Sequence, residues 1–188
     1  MFSNNKDIFW YVLFATNGKA AKISDYLEKS NIECFFPLCY RERRIRNSER
    51  KRLSLQPLIG NLVFVKSSKE CLAPFLQEIK QWLSITDELY YRDLGSKEII
   101  VVPEKQMLNF IAIAGSKVGL NKERIIYLSN EEVNFAKGTK VRIIGGIFEG
   151  VEGVFMKVQG SNRVVVSLPN LLSVATAFIP TRFILPLE

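Results

Sequence analysis

The chain opens on an unbroken apolar run, Ile8 to Ala15, and after Asn17-Gly18 it changes to a segment in which Ala20, Ile23 and Leu27 recur at spacings of three and four. A short apolar run bounded by turn residues predicts a buried strand. The three-four spacing predicts a helix over 18–31 with one inner face, leaving Lys19, Lys22, Glu28 and Lys29 in water. The aromatic-rich stretch Glu33 to Tyr40 predicts a second strand, and Leu58 to Val65 a third. Ser67 and Glu70 have the capping-box spacing, in which each side chain reaches a free backbone N–H of the other. A second helix is therefore expected to start there, with Leu72, Phe75, Leu76 and Ile79 as its apolar face. An extended segment around Trp82 to Thr86 would complete a β-α-β-β-α-β series, the split βαβ order of a ferredoxin-like antiparallel sheet with both helices on one side. Ile99 to Val102 also reads as extended, and Pro103-Glu104 suits the first turn of a third helix facing inward through Met107, Ile111 and Ala114.

From Lys137 onward the pattern changes to short β-prone segments broken by glycine: Val141 to Ile144, Val151 to Val158, Arg163 to Leu168 and Ala175 to Ile179. With no helices to cover them, four or five such strands must curl onto one another as a small barrel. Between the two textures, apolar periodicity is lost and Gly119, Asn121 and Ser129-Asn130-Glu131-Glu132 accumulate. The expected class is thus α+β: a ferredoxin-like N-terminal domain over 1–118, a linker over 119–136 and a small β-barrel over 137–188.

Charge changes the picture at one place. Of the 188 residues, 26 are Lys or Arg and 19 are Asp or Glu, and the excess is concentrated between Arg41 and Arg52. There Arg41, Arg43, Arg44, Arg46, Arg50, Lys51 and Arg52 face only Glu42 and Glu49. Potentials from neighbouring charges add, so such a cluster attracts phosphates better than the same charge spread over a surface. Those residues are candidate nucleic-acid contacts, and a solvated loop kept extended by self-repulsion is the alternative.

Catalytic chemistry is poorly provided for. The chain has no histidine, which removes the usual near-neutral general base, the common metal imidazole and any Ser-His or Cys-His nucleophile. Gly145 to Val151 has the spacing of a phosphate loop but carries Val151 where the lysine should stand and lies between predicted strands. Cys34, Cys39 and Cys71 form no close pair and suit reduced thiols in a cytoplasm. The apolar run near the start is too short for a bilayer span of about 20 residues and lacks a signal-peptide cleavage pattern. No enzyme, metal, cofactor or membrane partner is expected. Strand alternation sends Trp10 and Tyr11, and Phe35 and Phe36, to opposite faces, so one aromatic set must line the face away from the helices. With Ile59 and Leu62 that face would form an apolar groove for a partner helix, or else simply be core.

Trp10-Tyr11-Val12-Leu13, Gly18, Phe36-Pro37 and Leu62-Val63-Phe64-Val65 resemble the N-terminal domain of NusG-type transcription elongation factors. Gly138 to Val154 is similar to a KOW motif, the opening of the SH3-like barrel that ends these proteins, carried here by Gly138, Val141, Ile143, Gly146, Phe148, Gly150 and Gly153. The resemblance implies a non-enzymatic elongation or antitermination regulator. Its first domain would hold the clamp helices of RNA polymerase through Tyr11, Phe36, Pro37, Ile59 and Leu62. The basic stretch would face DNA or nascent RNA, and the barrel would bind a ribosomal protein or a termination factor. The match looks closer to specialised paralogues such as the UpxY-like antiterminators than to the general factor. It departs from the family where Pro-Gly usually precedes the third strand: Gly60-Asn61 stands there, both residues tolerating positive φ. A KOW-bearing, ribosome-associated or RNA-binding protein is the alternative.

Overall fold

The computed structural model describes residues 8–44, 51–59, 61–115, 125–128, 138–168 and 170–187. In chain order the elements are β1 (Phe9–Phe14), α1 (Lys19–Lys29), β2 (Cys34–Phe35), β3 (Leu38–Arg44), β4 (Lys51–Pro57), β5 (Leu62–Ser67), α2 (Lys69–Trp82), β6 (Val101–Val102), α3 (Glu104–Ala114), β7 (Ile126–Leu128), β8 (Thr139–Ile143), β9 (Glu152–Val158), β10 (Ser161–Leu168), β11 (Leu172–Ala175) and β12 (Ile184–Pro186). They divide into two compact units. One takes the chain up to Pro37 and again from Pro57 to Glu104; the other takes Leu38–Gln56 and everything from Lys105 on.

The first unit is built on an antiparallel sheet of order β2-β5-β1-β6, the ferredoxin-like order. Its register runs from Phe9↔Ser67 to Phe14↔Leu62. Tyr11, Leu13, Val63 and Val65 therefore share one face, where they pack with Ala20, Ile23 and Leu27 of α1 and Leu72, Leu76 and Ile79 of α2. The other face, with Trp10, Val12, Phe64 and Val102, is buried as well. Helix α2 starts one residue later than the capping-box reading: Ser68 is its N-cap and accepts from the Cys71 N–H at 3.2 Å, while Ser67 still belongs to β5. No strand forms at Trp82–Thr86. Helix α2 runs on to Trp82, and the chain turns at Ser84 with φ +49°, keeping Leu83 and Ile85 packed on the core. The fourth strand is instead β6, with Trp10↔Val102 and Tyr11↔Val101, because the segment in between reaches the β1 edge first through Phe14 N–H to Leu89 C=O and Tyr91 N–H to Val12 C=O, each 2.8 Å. The expected second strand is also broken, at Phe36-Pro37, into β2 and β3.

In the second unit β3 and β4 pair as a two-stranded ribbon, so much of the basic stretch read as a loop is strand. A six-stranded antiparallel sheet follows, of order β12-β8-β9-β10-β11-β7. This exceeds the four or five strands expected. Strand β7 lies inside the stretch read as a linker, and its half-buried Ile126 and Leu128 pack on a cluster of Met156, Val158, Val165 and Ala175. In the middle of β10, Val164, Val165 and Val166 are all buried, so both sheet faces are covered there. The inner face of α3 consists of Met107, Phe110, Ile113 and Ala114, with Ile111 only half-buried, one helical position away from the expected stripe. Helix α3 clusters with the later sheet because Lys105 pairs with Glu152 at 2.5 Å, and Asn109 Oδ1 accepts the Glu152 N–H at 3.3 Å.

Candidate functional site

The five residues proposed for an apolar groove have different fates. Tyr11 is 3% exposed and stands edge-on to Tyr90 with ring centroids 5.5 Å apart, on the helix side of the sheet; it is core and offers no surface. Phe36 packs half-buried against that same core. Pro37 is buried, its carbonyl accepting the Leu58 N–H at 2.9 Å. Leu62 is 7% exposed and Ile59 is half-buried.

Alternation explains what the sequence reading missed. Leu62 stands directly opposite Phe14, so the two side chains share the face away from the helices. Phe14 is 37% exposed and its ring is 5.7 Å from that of Tyr91. The exposed apolar side chain on this face is therefore Phe14, beside the buried Leu62, and no groove runs through Tyr11. Phe14 was legible as a solvent-facing residue only at the end of an otherwise uniform apolar run, where periodicity gives no contrast. The turn that precedes β5 carries Asn61 at φ +73°, so the residue standing in place of the usual glycine does adopt the left-handed conformation; Gly60 lies outside the described residues.

Trp10, on the face opposite Tyr11, is 1% exposed. Its indole N–H donates to Glu104 Oε2 at 2.8 Å, and Lys66 Nζ donates to Glu104 Oε1 at 2.8 Å. The ammonium also lies 5.9 Å from the Trp10 ring centroid. Hydrogen bonding to Glu104 raises the Lys66 pKa, so this cation stays charged throughout the physiological range.

Among the basic residues, Arg41, Arg43 and Arg44 are on β3, and Lys51 and Arg52 are exposed on β4; Arg46 and Arg50 lie outside the described residues. The ribbon brings the two ends of the cluster together, since β3 and β4 are hydrogen-bonded neighbours. The glycine-rich segment has a structural explanation for each position. Val141 and Ile143 of β8, with Phe148, are fully buried. Gly146 and Gly150 have φ of +89° and +86° in the turn between β8 and β9, closed by Gly150 N–H to Ile143 C=O at 2.8 Å. Gly138 and Gly153 are close approaches: a methyl group at Gly153 would overlap the Val165 carbonyl oxygen on the neighbouring strand. The segment is a β-turn connection and no helix N-terminus follows it, so it forms no phosphate loop.

A comparison with protein families matches residues 9–111, more than half of the 188-residue chain, to the family described as transcription termination factor NusG. The chain belongs to the NusG family. The match spans the ferredoxin-like sheet, both helices that cover it, the basic ribbon and most of α3. NusG-family proteins are non-enzymatic transcription factors that bind RNA polymerase, and this chain is a regulator of transcription elongation or antitermination in that general sense. The glycine-rich segment from Gly138 to Val154 lies beyond the NusG match. No curated protein matches the chain at a significant level. Among the described residues no helix is long and apolar enough to cross a membrane.

Proposed function

We propose that the chain holds the clamp helices of RNA polymerase through the end of the sheet where Phe14 stands beside Leu62, together with Ile59, and that the β3–β4 ribbon touches the nucleic acid of the transcription complex. The observation that carries this reading is the exposed Phe14 side chain beside Leu62, inside the segment matched to NusG. A half-exposed ring flanked by aliphatic side chains is the kind of anchor a partner helix desolvates. The seven cations between Arg41 and Arg52 supply the charge that a phosphate backbone attracts. Binding to a closed polymerase in preference to an open one would favour processive synthesis, a shift between two states by differential affinity. The later sheet, with its KOW-like turn, is the module for a ribosomal protein or termination factor, and the protein works in the cytoplasm.

The test is binding to core RNA polymerase by Phe14→Glu and Ile59→Glu variants shown by circular dichroism to be folded. Each is expected to weaken binding by about 2 kcal/mol, roughly 30-fold. Unchanged affinity refutes the assignment of this surface. Co-sedimentation with ribosomes in place of polymerase would favour the KOW-bearing ribosomal reading.

A further inference from the structure

In the second unit two cations meet on one carboxylate and a third lies beside them. Arg142 on β8 and Glu152 on β9 are cross-strand partners, and Arg142 Nη2 lies 2.6 Å from Glu152 Oε1 while Lys105 Nζ lies 2.5 Å from Oε2. Lys140, on the same face of β8 as Arg142, lines the same cavity of about 300 Å³ as Lys105 and Glu152. Asn109, Gln106 and Ser167 complete its polar wall, and among the described residues the buried Gln106 Oε1 has no hydrogen-bond partner. The carboxylate is enclosed, 16% exposed, whereas the Lys105 and Arg142 side chains are 70% and 48% exposed. Glu152 thus neutralises part of a cationic surface whose donors still face water.

We propose that Lys105, Lys140 and Arg142 form a second nucleic-acid contact, separate from the β3–β4 ribbon, that takes the phosphodiester backbone of a single strand and is held in check by Glu152. The cations outnumber the carboxylate by three to one, and their exposed donors let phosphate oxygens replace Glu152 as acceptors, one anion for another. A phosphodiester chain carries many anions in series, so Lys140 can be paired as well as Lys105 and Arg142. The polar wall favours this ligand over an apolar one: Asn109 and Ser167 can add uncharged hydrogen bonds to phosphate or sugar, as positioning contacts do. Because the contact would be made by strands and α3 of the second unit, it does not depend on the ribbon or on the polymerase reading.

The experiment measures binding of the full-length chain to a fluorescein-labelled single-stranded oligonucleotide of mixed sequence by anisotropy, across a salt series. It is done in a background whose ribbon cations Arg41, Arg43, Arg44, Arg46, Arg50, Lys51 and Arg52 are replaced by Ser. There Glu152→Gln is expected to tighten binding about three- to tenfold, because a repelling charge is removed from beside the phosphates. It should also steepen the salt slope by about 1, as two cations become free to release counterions. Adding Lys105→Ser, Lys140→Ser and Arg142→Ser should abolish the gain. The proposal is overturned if Glu152→Gln leaves the affinity unchanged, or if the gain survives loss of the three cations. It is equally overturned if polyglutamate competes as well as unlabelled oligonucleotide at equal charge, which would mark a general anion exchanger. Circular dichroism and a melting curve of each variant establish that it is folded before its affinity is scored.

Discussion

Glu104 joins the buried indole of Trp10 to the exposed ammonium of Lys66, and removing it separates the two contributions. Glu104→Ala leaves the Trp10 N–H without its acceptor in a side chain that is 1% exposed, and an unsatisfied buried donor costs about 1–3 kcal/mol. The ion pair with Lys66 adds little: its side chains are 27% and 49% exposed, and such pairs contribute about 0–1 kcal/mol. Glu104 is also the acidic residue in the first turn of α3, where the helix dipole favours it by about 0.3–1 kcal/mol. The expected cost is therefore about 2 kcal/mol, mostly from the stranded indole N–H. Glu104→Gln keeps an acceptor oxygen and should cost under about 1 kcal/mol. In a Trp10→Phe background, which has no N–H to strand, Glu104→Ala should also cost under about 1 kcal/mol, giving a coupling of at least about 1 kcal/mol between the two positions. Urea unfolding followed by far-ultraviolet circular dichroism reads this directly, since at a slope of about 2 kcal/mol per molar the midpoint moves by about 1 M. Equal losses for the Ala and Gln variants would show that charge dominates; a loss for Glu104→Ala undiminished by Trp10→Phe would refute the role of the indole N–H.

Gly153→Ala should destabilise the second unit by several kcal/mol, since the added methyl would overlap the Val165 carbonyl oxygen and Val164 side chain; a melting temperature within about 2 °C of the native protein would contradict the close approach. Tyr90 has a pKa pushed up to about 12, chiefly by burial, against an ordinary value near 10. The fold favours its neutral form, so this contribution is fully present below pH 10 and is lost as pH rises from about 10 through 12; the stability difference between the native protein and Tyr90→Phe should shift in favour of the Phe variant over that window and stay constant below it. Replacing Arg43, Arg44, Arg46, Arg50, Lys51 and Arg52 together by Ser should leave polymerase binding intact while nucleic-acid affinity falls and its salt dependence becomes shallower. In the unaltered chain the salt slope for single strands should be near −2, as expected for about three phosphate contacts. A slope unchanged by the substitutions would show that the cluster is a solvated surface.

Local periodicity determined much of this protein. The inner faces of α1 and α2, through Ala20, Ile23, Leu27, Leu72, Leu76 and Ile79, follow from spacings of three and four, because a helix repeats its face every 3.6 residues whatever it packs against. The N-terminal α+β architecture and the β-rich second half were legible for the same reason, and the family was legible from short motifs inside β1 and β5. Pairings between distant segments were not. Whether Trp82–Thr86 or Val101–Val102 becomes the fourth strand depends on which reaches the β1 edge, and neither segment encodes that edge in its own pattern. Strand β7 has three residues and acquires its structure by pairing with β11. The candidate surface was hidden in the same way. An apolar run alternates across two faces, and only the register with β5 decides that Tyr11 is core while Phe14 meets water beside Leu62. The meeting of Lys105 and Arg142 on Glu152, with Lys140 beside them, was beyond any reading of the chain, because those charges become neighbours only once β8, β9 and α3 have packed.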